Sequence, residues 1–89
     1  MFNILVVDDD ASLRLTVSSA LGGANYLVDQ ASDGEEAINK IRAGSYDLIL
    51  MDVNMPRMNG IEALKQIKSY DPSIIVIILT AYSNIRDAV

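Results

Sequence analysis

Three short apolar runs constrain the fold of this 89-residue chain more than any other feature of its sequence. They fall at residues 3–7, 47–51 and 74–79, and Val, Ile and Leu dominate all three. Continuous runs of this length and composition are typical of strands that are buried on both faces, as in a parallel sheet. Even the longest is far too short to cross a membrane.

Between these runs the apolar residues recur at three- and four-residue intervals, which predicts amphipathic helices. A further short strand is expected at residues 26–31, and Ser83 could begin a last helix. Ser32 and Glu35 have the spacing of a capping box, whereas Asp33-Gly34 is interpreted as a turn. The predicted inward faces of the three helices are Leu13, Val17, Ala20 and Leu21; Ala37, Ile38 and Ile41; and Ile61, Leu64 and Ile67. The order β-α-β-α-β-α-β predicts one α/β domain with a parallel sheet covered on both faces.

Acidic residues follow two of the predicted strands. Asp8, Asp9 and Asp10 follow the first strand, Asp52 follows the third, and Thr80 follows the fourth. Ligands of open parallel sheets bind at the carboxyl ends of the strands. If the first and third strands are neighbours, Asp8, Asp9 and Asp52 therefore converge.

Converging carboxylates need compensation, because two unit charges about 4 Å apart repel by roughly 4 kcal/mol near a protein surface. A divalent cation would provide it, and all-oxygen ligands favour Mg²⁺, with Mn²⁺ as the second choice. Protein-bound Mg²⁺ commonly works with phosphate oxygens, so the pattern predicts a phosphoryl-transfer site. Taken singly, the first acids could only favour a helix N-terminus and Asp52 could be a solvated loop acid. Neither alternative explains why both sets reach one sheet edge.

Composition excludes several other classes of function. The net charge of −5 argues against electrostatic binding of nucleic acid by this domain. The chain has neither histidine nor cysteine, which removes the usual catalytic triads, disulfides and thiolate metal sites. The N-terminus does not have the basic start and long apolar segment of a signal peptide. We therefore expect a cytoplasmic protein that does not associate with a membrane.

The segments "ILVVDDD…LR", "DLILMDVNMPRMNGIEAL" and "IIVIILTAYS" resemble the receiver domain of two-component response regulators, and the resemblance extends from residue 3 to residue 89. It implies a flavodoxin-like doubly wound parallel sheet with strand order 2-1-3-4. It also implies that Asp52 accepts a phosphoryl group from a sensor histidine kinase, and that an output domain, such as a transcription regulator, follows the receiver domain.

The resemblance implies further roles residue by residue. Asp9 would ligate Mg²⁺ directly, Asp8 would do so through a water, and Asp52 and the backbone carbonyl of Asn54 would complete the set. Thr80 would be the hydroxyl that turns toward the phosphoryl group, and Ala81 the small residue that gives phosphate access.

The sequence departs from the family pattern after Thr80. Receiver domains have a fifth strand, which carries a lysine that pairs with the phosphoryl group, and a fifth helix; both are missing here. The lysines of this chain are Lys40, Lys65 and Lys68, all on predicted helices. Residues 1–89 are therefore expected to form a truncated receiver domain with impaired phosphoryl transfer.

Three alternatives remain open. An exposed apolar fourth strand and bare sheet faces favour self-association, so the chain could be a fragment that only assembles with copies of itself. A Mg²⁺-dependent aspartyl-phosphate phosphatase would typically have a second acid where Asn54 stands. A nucleotide-binding site is disfavoured, because the turn after the first strand is rich in Asp and not in Gly.

Overall fold

The computed structural model describes residues 2–52 and 60–79 of the chain. Its elements are β1 (Asn3–Val7), α1 (Ala11–Gly22), β2 (Leu27–Ala31), α2 (Gly34–Ala43), β3 (Leu48–Asp52), α3 (Gly60–Tyr70) and β4 (Ile75–Leu79). The predicted order of strands and helices is confirmed. β3 includes Asp52, so this carboxylate is on the last residue of a strand and not in a loop. The helix expected from Ser83 lies outside the described residues.

The four strands form one parallel sheet in the order β2-β1-β3-β4, as predicted. β1 is a central strand, and it pairs with β3 so that Val7 lies opposite Met51. β3 in turn pairs with β4, with Asp52 opposite Leu79. All four carboxyl ends consequently lie at one edge of the sheet, which we call the carboxyl edge.

The main core lies between the sheet and the helices α2 and α3. Strand side chains alternate between the two faces of a sheet, so every second residue of β1 and β3 points to these helices. The predicted inward face of α2 is confirmed. The cluster of buried residues consists of Leu5, Val7, Ala31, Ala37, Ile38, Ile41, Ile49, Met51, Ala63, Ile67 and Ile74.

The predicted inward face of α3 is wrong in part. Ile67 is buried as expected, but Ile61 is 47% exposed and Ala63, which the pattern did not select, is fully buried. At 100° per residue, Ile61 projects roughly 140° away from the direction shared by Ala63 and Ile67. Size misled the prediction, because the small Ala63 is the residue that lets the helix approach the sheet.

The predicted inward face of α1 is also wrong in part, because no residue of this helix is fully buried and Ala20 is exposed. Leu13 is 45% exposed, and Val17 and Leu21 are only half-buried. α1 packs on β1 and β2. Among the described residues no helix covers the same sheet face over β3 and β4, so α1 has solvent on one flank. We call the uncovered part the open face; it consists of Leu48, Leu50, Ile75 and Ile77.

The N-terminus of α2 differs from the predicted capping box. Asp33 is the N-cap, and its carboxylate accepts a hydrogen bond from the N–H of Glu36 at 2.8 Å. Ser32 donates from both its N–H and its hydroxyl to Glu36 rather than to Glu35. The N-cap is therefore displaced by one residue, and the interpretation of Asp33-Gly34 as a turn is wrong. Asp is as good an N-cap as Ser, so spacing alone did not separate the two registers.

Hydrogen bonds tie together the amino ends of three strands. The Asn3 N–H donates to Asp47 at 2.8 Å, and its side-chain amide donates to the Ser45 carbonyl at 3.0 Å. Tyr46 lies between Ser45 and Asp47, before β3, and its hydroxyl donates to Asp29 of β2 at 2.7 Å. Burial and the neighbouring Asp29 carboxylate raise the pKa of Tyr46 to about 12. The bonds link β1, β2 and the start of β3 at the edge opposite the acids.

Ile67 and Ile61 provide a matched test of how α3 packs. We expect Ile67→Val to lower the free energy of unfolding by about 1 kcal/mol, because it removes a methyl group from a filled core. Ile61→Val, on the same helix, should change it by less than about 0.5 kcal/mol, as exposed substitutions do. Urea denaturation of both variants measures the difference. Equal losses would contradict the described orientation of α3.

Candidate functional site

The pairing of β1 with β3 places two carboxylates next to each other. Val7 lies opposite Met51, and each is followed by an aspartate, Asp8 after β1 and Asp52 at the end of β3. In a parallel pair, residues at matching positions project on the same side of the sheet. Asp8 and Asp52 are therefore neighbours at the carboxyl edge, as the sequence predicted.

Asp9 completes the cluster from the loop between β1 and α1. One carboxylate oxygen from each of Asp8, Asp9 and Asp52 lies within 4.8 Å of the others. Asp8 is only 4% exposed, Asp52 is half-buried and Asp9 is exposed. The arrangement is an open acidic pocket with one buried and two accessible carboxylates.

Asp8 bears most of the electrostatic cost of this arrangement. Burial is the main reason that the pKa of its carboxyl group is raised, and the negative charges of Asp52 and Asp9 raise it further. The N–H of Asp10, 2.9 Å from Asp8 Oδ1, acts in the opposite direction because it stabilises the charged form. A nearby cation would lower this cost. Among the described hydrogen bonds and ion pairs, no cationic side chain contacts the Asp8 carboxylate.

Asp10 has a structural role at the start of α1. Its carboxylate accepts hydrogen bonds from the N–H groups of Ser12 and Leu13, so it is the N-cap of α1. The three consecutive aspartates thus divide between two tasks. Asp8 and Asp9 form the pocket, and Asp10 fixes the start of the helix beside it.

Sequence reasoning missed one residue beside the pocket. Arg14, in α1, donates from Nη1 to the backbone carbonyl of Asp8 at 2.7 Å. The signal was its place in "DDDASLR", where a basic residue one helical turn after the N-cap Asp10 can reach back over the loop. The predicted site residues Asn54, Thr80 and Ala81 lie outside the described residues, so Asp8, Asp9 and Asp52 are the predicted residues that the structure brings together.

Comparisons with known proteins place the chain in a family. The family model of the response regulator receiver domain matches residues 4–89. The chain belongs to this family. Receiver domains are phospho-acceptors in signalling, and they bind Mg²⁺ at an acidic pocket of this kind. Within the described residues of this receiver domain, no helix has the length and apolar character needed to cross a membrane.

Relatives and solved structures agree with this assignment. The receiver domain is 47% identical over 87 residues to the transcriptional regulatory protein ZraR of Klebsiella oxytoca, covering 98% of this chain and 20% of the relative. It thus spans about a fifth of the length of that protein. The Thermotoga maritima response regulator TrrA in complex with Mg²⁺-BeF is 39% identical with a TM-score of 0.89, covering 98% of this chain and 76% of that one. A complex of the histidine kinase ThkA with TrrA gives a TM-score of 0.87 at 39% identity, covering 92% and 71%.

The acidic pocket has the donor set that Mg²⁺ prefers. Its ligand atoms are carboxylate oxygens, and Mg²⁺ in proteins is bound by one or two carboxylates together with waters and phosphate oxygens. Asp9 and Asp52 are accessible enough to reach a cation directly, whereas the buried Asp8 carboxylate is already engaged by the N–H of Asp10. The residues therefore fit a magnesium ion.

Repulsion in the pocket predicts that removing one charge stabilises the metal-free domain. We expect Asp52→Asn to raise the free energy of unfolding at pH 7 by at least about 1 kcal/mol, measured with urea in the presence of a chelator. Because the pKa of Asp8 is raised, the folded state binds protons more readily than the unfolded state, and stability rises as the pH falls toward that pKa. The advantage of Asp52→Asn should therefore shrink at acidic pH.

The control for this experiment is Asp47→Asn. Asp47 directly precedes the same strand, at the opposite edge of the sheet, and accepts a hydrogen bond from Asn3. Its replacement removes a charge without relieving the pocket, so no gain in stability is expected. A gain as large as that of Asp52→Asn would mean that net charge, and not repulsion within the pocket, is responsible.

Proposed function

We propose that this chain is a phospho-accepting receiver module, in which Asp52 takes a phosphoryl group from a sensor histidine kinase. The observation that carries the proposal is the convergence of Asp8, Asp9 and Asp52 at the carboxyl edge, with their oxygens within 4.8 Å of one another. A carboxylate oxygen of Asp52 attacks phosphorus, the P–N bond to the kinase imidazole breaks, and an acyl phosphate forms on Asp52. The rigid end of β3 favours this step because it holds the nucleophile in a fixed direction.

The proposed metal ligands are Asp9 and Asp52 directly, Asp8 through a water, and the backbone carbonyl of Asn54. Bound Mg²⁺, or Mn²⁺ as the second choice, would neutralise charge on the transferred oxygens. Asp8 is suited to an indirect role because its carboxylate is buried and already accepts the N–H of Asp10. Asp9, which is exposed, is suited to a direct one.

Thr80 and Ala81 are proposed to complete the site after β4. The Thr80 hydroxyl would donate to the new phosphoryl group, and the small Ala81 side chain would leave room for it. Support comes from the topology, since β4 pairs with β3 and delivers its carboxyl end beside Asp52. A new dianion that recruits such a donor can bias the local surface between two states.

The proposed partners are a sensor histidine kinase and an output domain that follows the receiver domain in the full-length protein. The TrrA–ThkA complex supports the first, and the description of ZraR as a transcriptional regulatory protein supports the second. The net charge of −5 makes direct nucleic-acid binding by this domain unfavourable. We also propose that the protein is cytoplasmic, since its relative ZraR is described as a transcriptional regulatory protein.

The lysines within residues 1–89 should contribute little to the transfer. Two of the three lysines in this sequence are engaged elsewhere. Lys40 bonds to the Gln30 carbonyl and to Asp29, and Lys68 bonds to the carbonyls of Pro72 and Ile74. A cation on the phosphoryl group is therefore not supplied by Lys40 or Lys68.

Phosphorylation by a small donor tests the proposal directly. Incubation with acetyl phosphate and Mg²⁺ should add one phosphoryl group, located on Asp52 by mass spectrometry of the intact chain and of its peptides. Asp52→Asn should show no addition, whereas Asp47→Asn should react as the wild type does. The absence of an adduct, also with a histidine kinase as donor, would contradict the proposal.

A second candidate function is assembly of this chain with copies of itself. The open face favours it, because Ile75 and Ile77 are 53% and 44% exposed and lie beside the half-buried Leu48 and Leu50. Apolar residues grouped on an uncovered sheet face are a typical association surface.

Sedimentation equilibrium of the 89-residue chain tests this assembly. We expect concentration-dependent dimers or larger species, because association buries the open face. Ile77→Lys should shift the equilibrium toward monomer, and Ile61→Lys, at an equally exposed position on the opposite side of the sheet, should not. A well-folded wild-type monomer at high concentration would overturn the assembly candidate.

A further inference from the structure

Arg14 connects α1 to the carboxyl ends of two strands. Its side chain is half-buried, its Nη1 donates to the Asp8 carbonyl at 2.7 Å, and its Nε donates to Gln30 Oε1 at 3.3 Å. Asp8 follows β1, and Gln30 lies near the end of β2. One rigid guanidinium group therefore spans two adjacent strands, using donors with fixed relative directions.

The carbonyl that Arg14 holds is in a special place. It belongs to the peptide group that joins Asp8 to Asp9, the two acids of the pocket that come from the β1–α1 loop. A peptide group is planar, so fixing the direction of its carbonyl restricts the rotation of both flanking residues. The donor is also charged and the bond is short, which makes it stronger than an ordinary loop hydrogen bond.

Other contacts restrain the same loop but leave this peptide free. The Asp8 N–H donates to the Ala31 carbonyl at 3.1 Å, which fixes the residue on its β1 side. The Asp10 N–H donates to Asp8 Oδ1, and the Asp10 carboxylate caps α1, which fixes the loop on its helix side. Arg14 supplies the described contact to the central carbonyl between them.

We propose that Arg14 is a positioning residue for the metal pocket, fixing the Asp8–Asp9 peptide so that both carboxylates point to one cation. The inference rests on the proposed function, because it takes the pocket to be a Mg²⁺ site. Arg14 itself ligates nothing. It acts through the backbone, as groups that orient metal ligands do in other sites, where their loss typically lowers metal affinity by 10–100-fold.

Charge and position predict opposite results for Arg14, which makes the proposal sharp. The guanidinium is a cation beside the pocket, so its positive charge alone repels Mg²⁺, and removing that charge would tighten binding. Glu36 offsets some of this charge: its pKa is lowered mainly by the Ser32 N–H and hydroxyl, with smaller contributions from the charges of Lys40 and Arg14. If Arg14 matters through position, removing it must weaken binding in spite of the repulsion that is relieved.

Equilibrium titration of the full 89-residue chain with Mg²⁺ by calorimetry is the test. We expect Arg14→Gln to weaken Mg²⁺ affinity about tenfold. Arg14→Lys keeps the charge, and with it the repulsion of Mg²⁺, but cannot donate to Asp8 and Gln30 in the same geometry, so its affinity should also be lower than that of the wild type. The control is Arg42→Gln, which removes an equal charge from an exposed site in the last turn of α2 and should leave the affinity unchanged.

The outcomes separate the inference from the proposed function. If the wild type shows no saturable Mg²⁺ binding, the proposed metal site is wrong and the role of Arg14 falls with it. If the wild type binds and Arg14→Gln binds equally or more tightly, only the positioning role is overturned. Thermal unfolding without metal checks that each variant is folded. If Arg14→Gln does not fold, Arg14→Lys decides, and affinity equal to that of the wild type overturns the proposal.

Discussion

The pairing of β1 with β3 is the constraint on which the rest of this molecule depends. With Val7 opposite Met51, the residues that follow are brought side by side, and those residues are aspartates. A slip of one position would turn every side chain of the shifted strand to the other face of the sheet, burying carboxylates in the core or separating them. The apolar residues of both strands fix this register, because Leu5, Val7, Ile49 and Met51 all need the same side. The register that packs the core is therefore also the register that forms the pocket.

The pocket works against the stability of the domain that carries it. A small domain has only about 5–15 kcal/mol of net stability, and like charges held this close consume part of it. Burial of Asp8 makes the conflict larger, and the raised pKa of its carboxyl group expresses it. Sites that are strained when empty respond strongly to what binds them. For a signalling domain this is useful, because the free energy released when the charges are compensated becomes available for a change of state.

Much of this arrangement was predictable from the sequence. The strand runs and their acidic ends predicted a parallel sheet and the convergence of Asp8, Asp9 and Asp52, because two-faced burial and the direction of a parallel strand leave little freedom. The helix faces were less predictable. Ile61 has the larger apolar side chain, but Ala63 is the buried residue. Which of the two faces the sheet depends on how α3 packs against it. α1 has an apolar pattern without a buried residue, since it packs on β1 and β2 while no described helix lies beside it on that face of the sheet. The only sequence signal for the contact of Arg14 was its place one helical turn after Asp10, because a search for matching side chains does not reveal a bond to a backbone carbonyl.

The two edges of the sheet are built for different purposes. At the amino edge, Asn3 bonds to Asp47 and Ser45, while Tyr46 bonds to Asp29, so hydrogen bonds between residues far apart in the sequence hold three strands together. At the carboxyl edge, the corresponding positions hold mutually repelling charges. Hydrogen bonds hold the strands together at the amino edge, whereas the carboxyl edge carries the repelling carboxylates. A change of charge at the carboxyl edge therefore acts on the end of the sheet that is not held by these bonds. A change of charge at Asp52 can thus move the neighbouring loops without breaking the hydrogen bonds that join the strands at the amino edge.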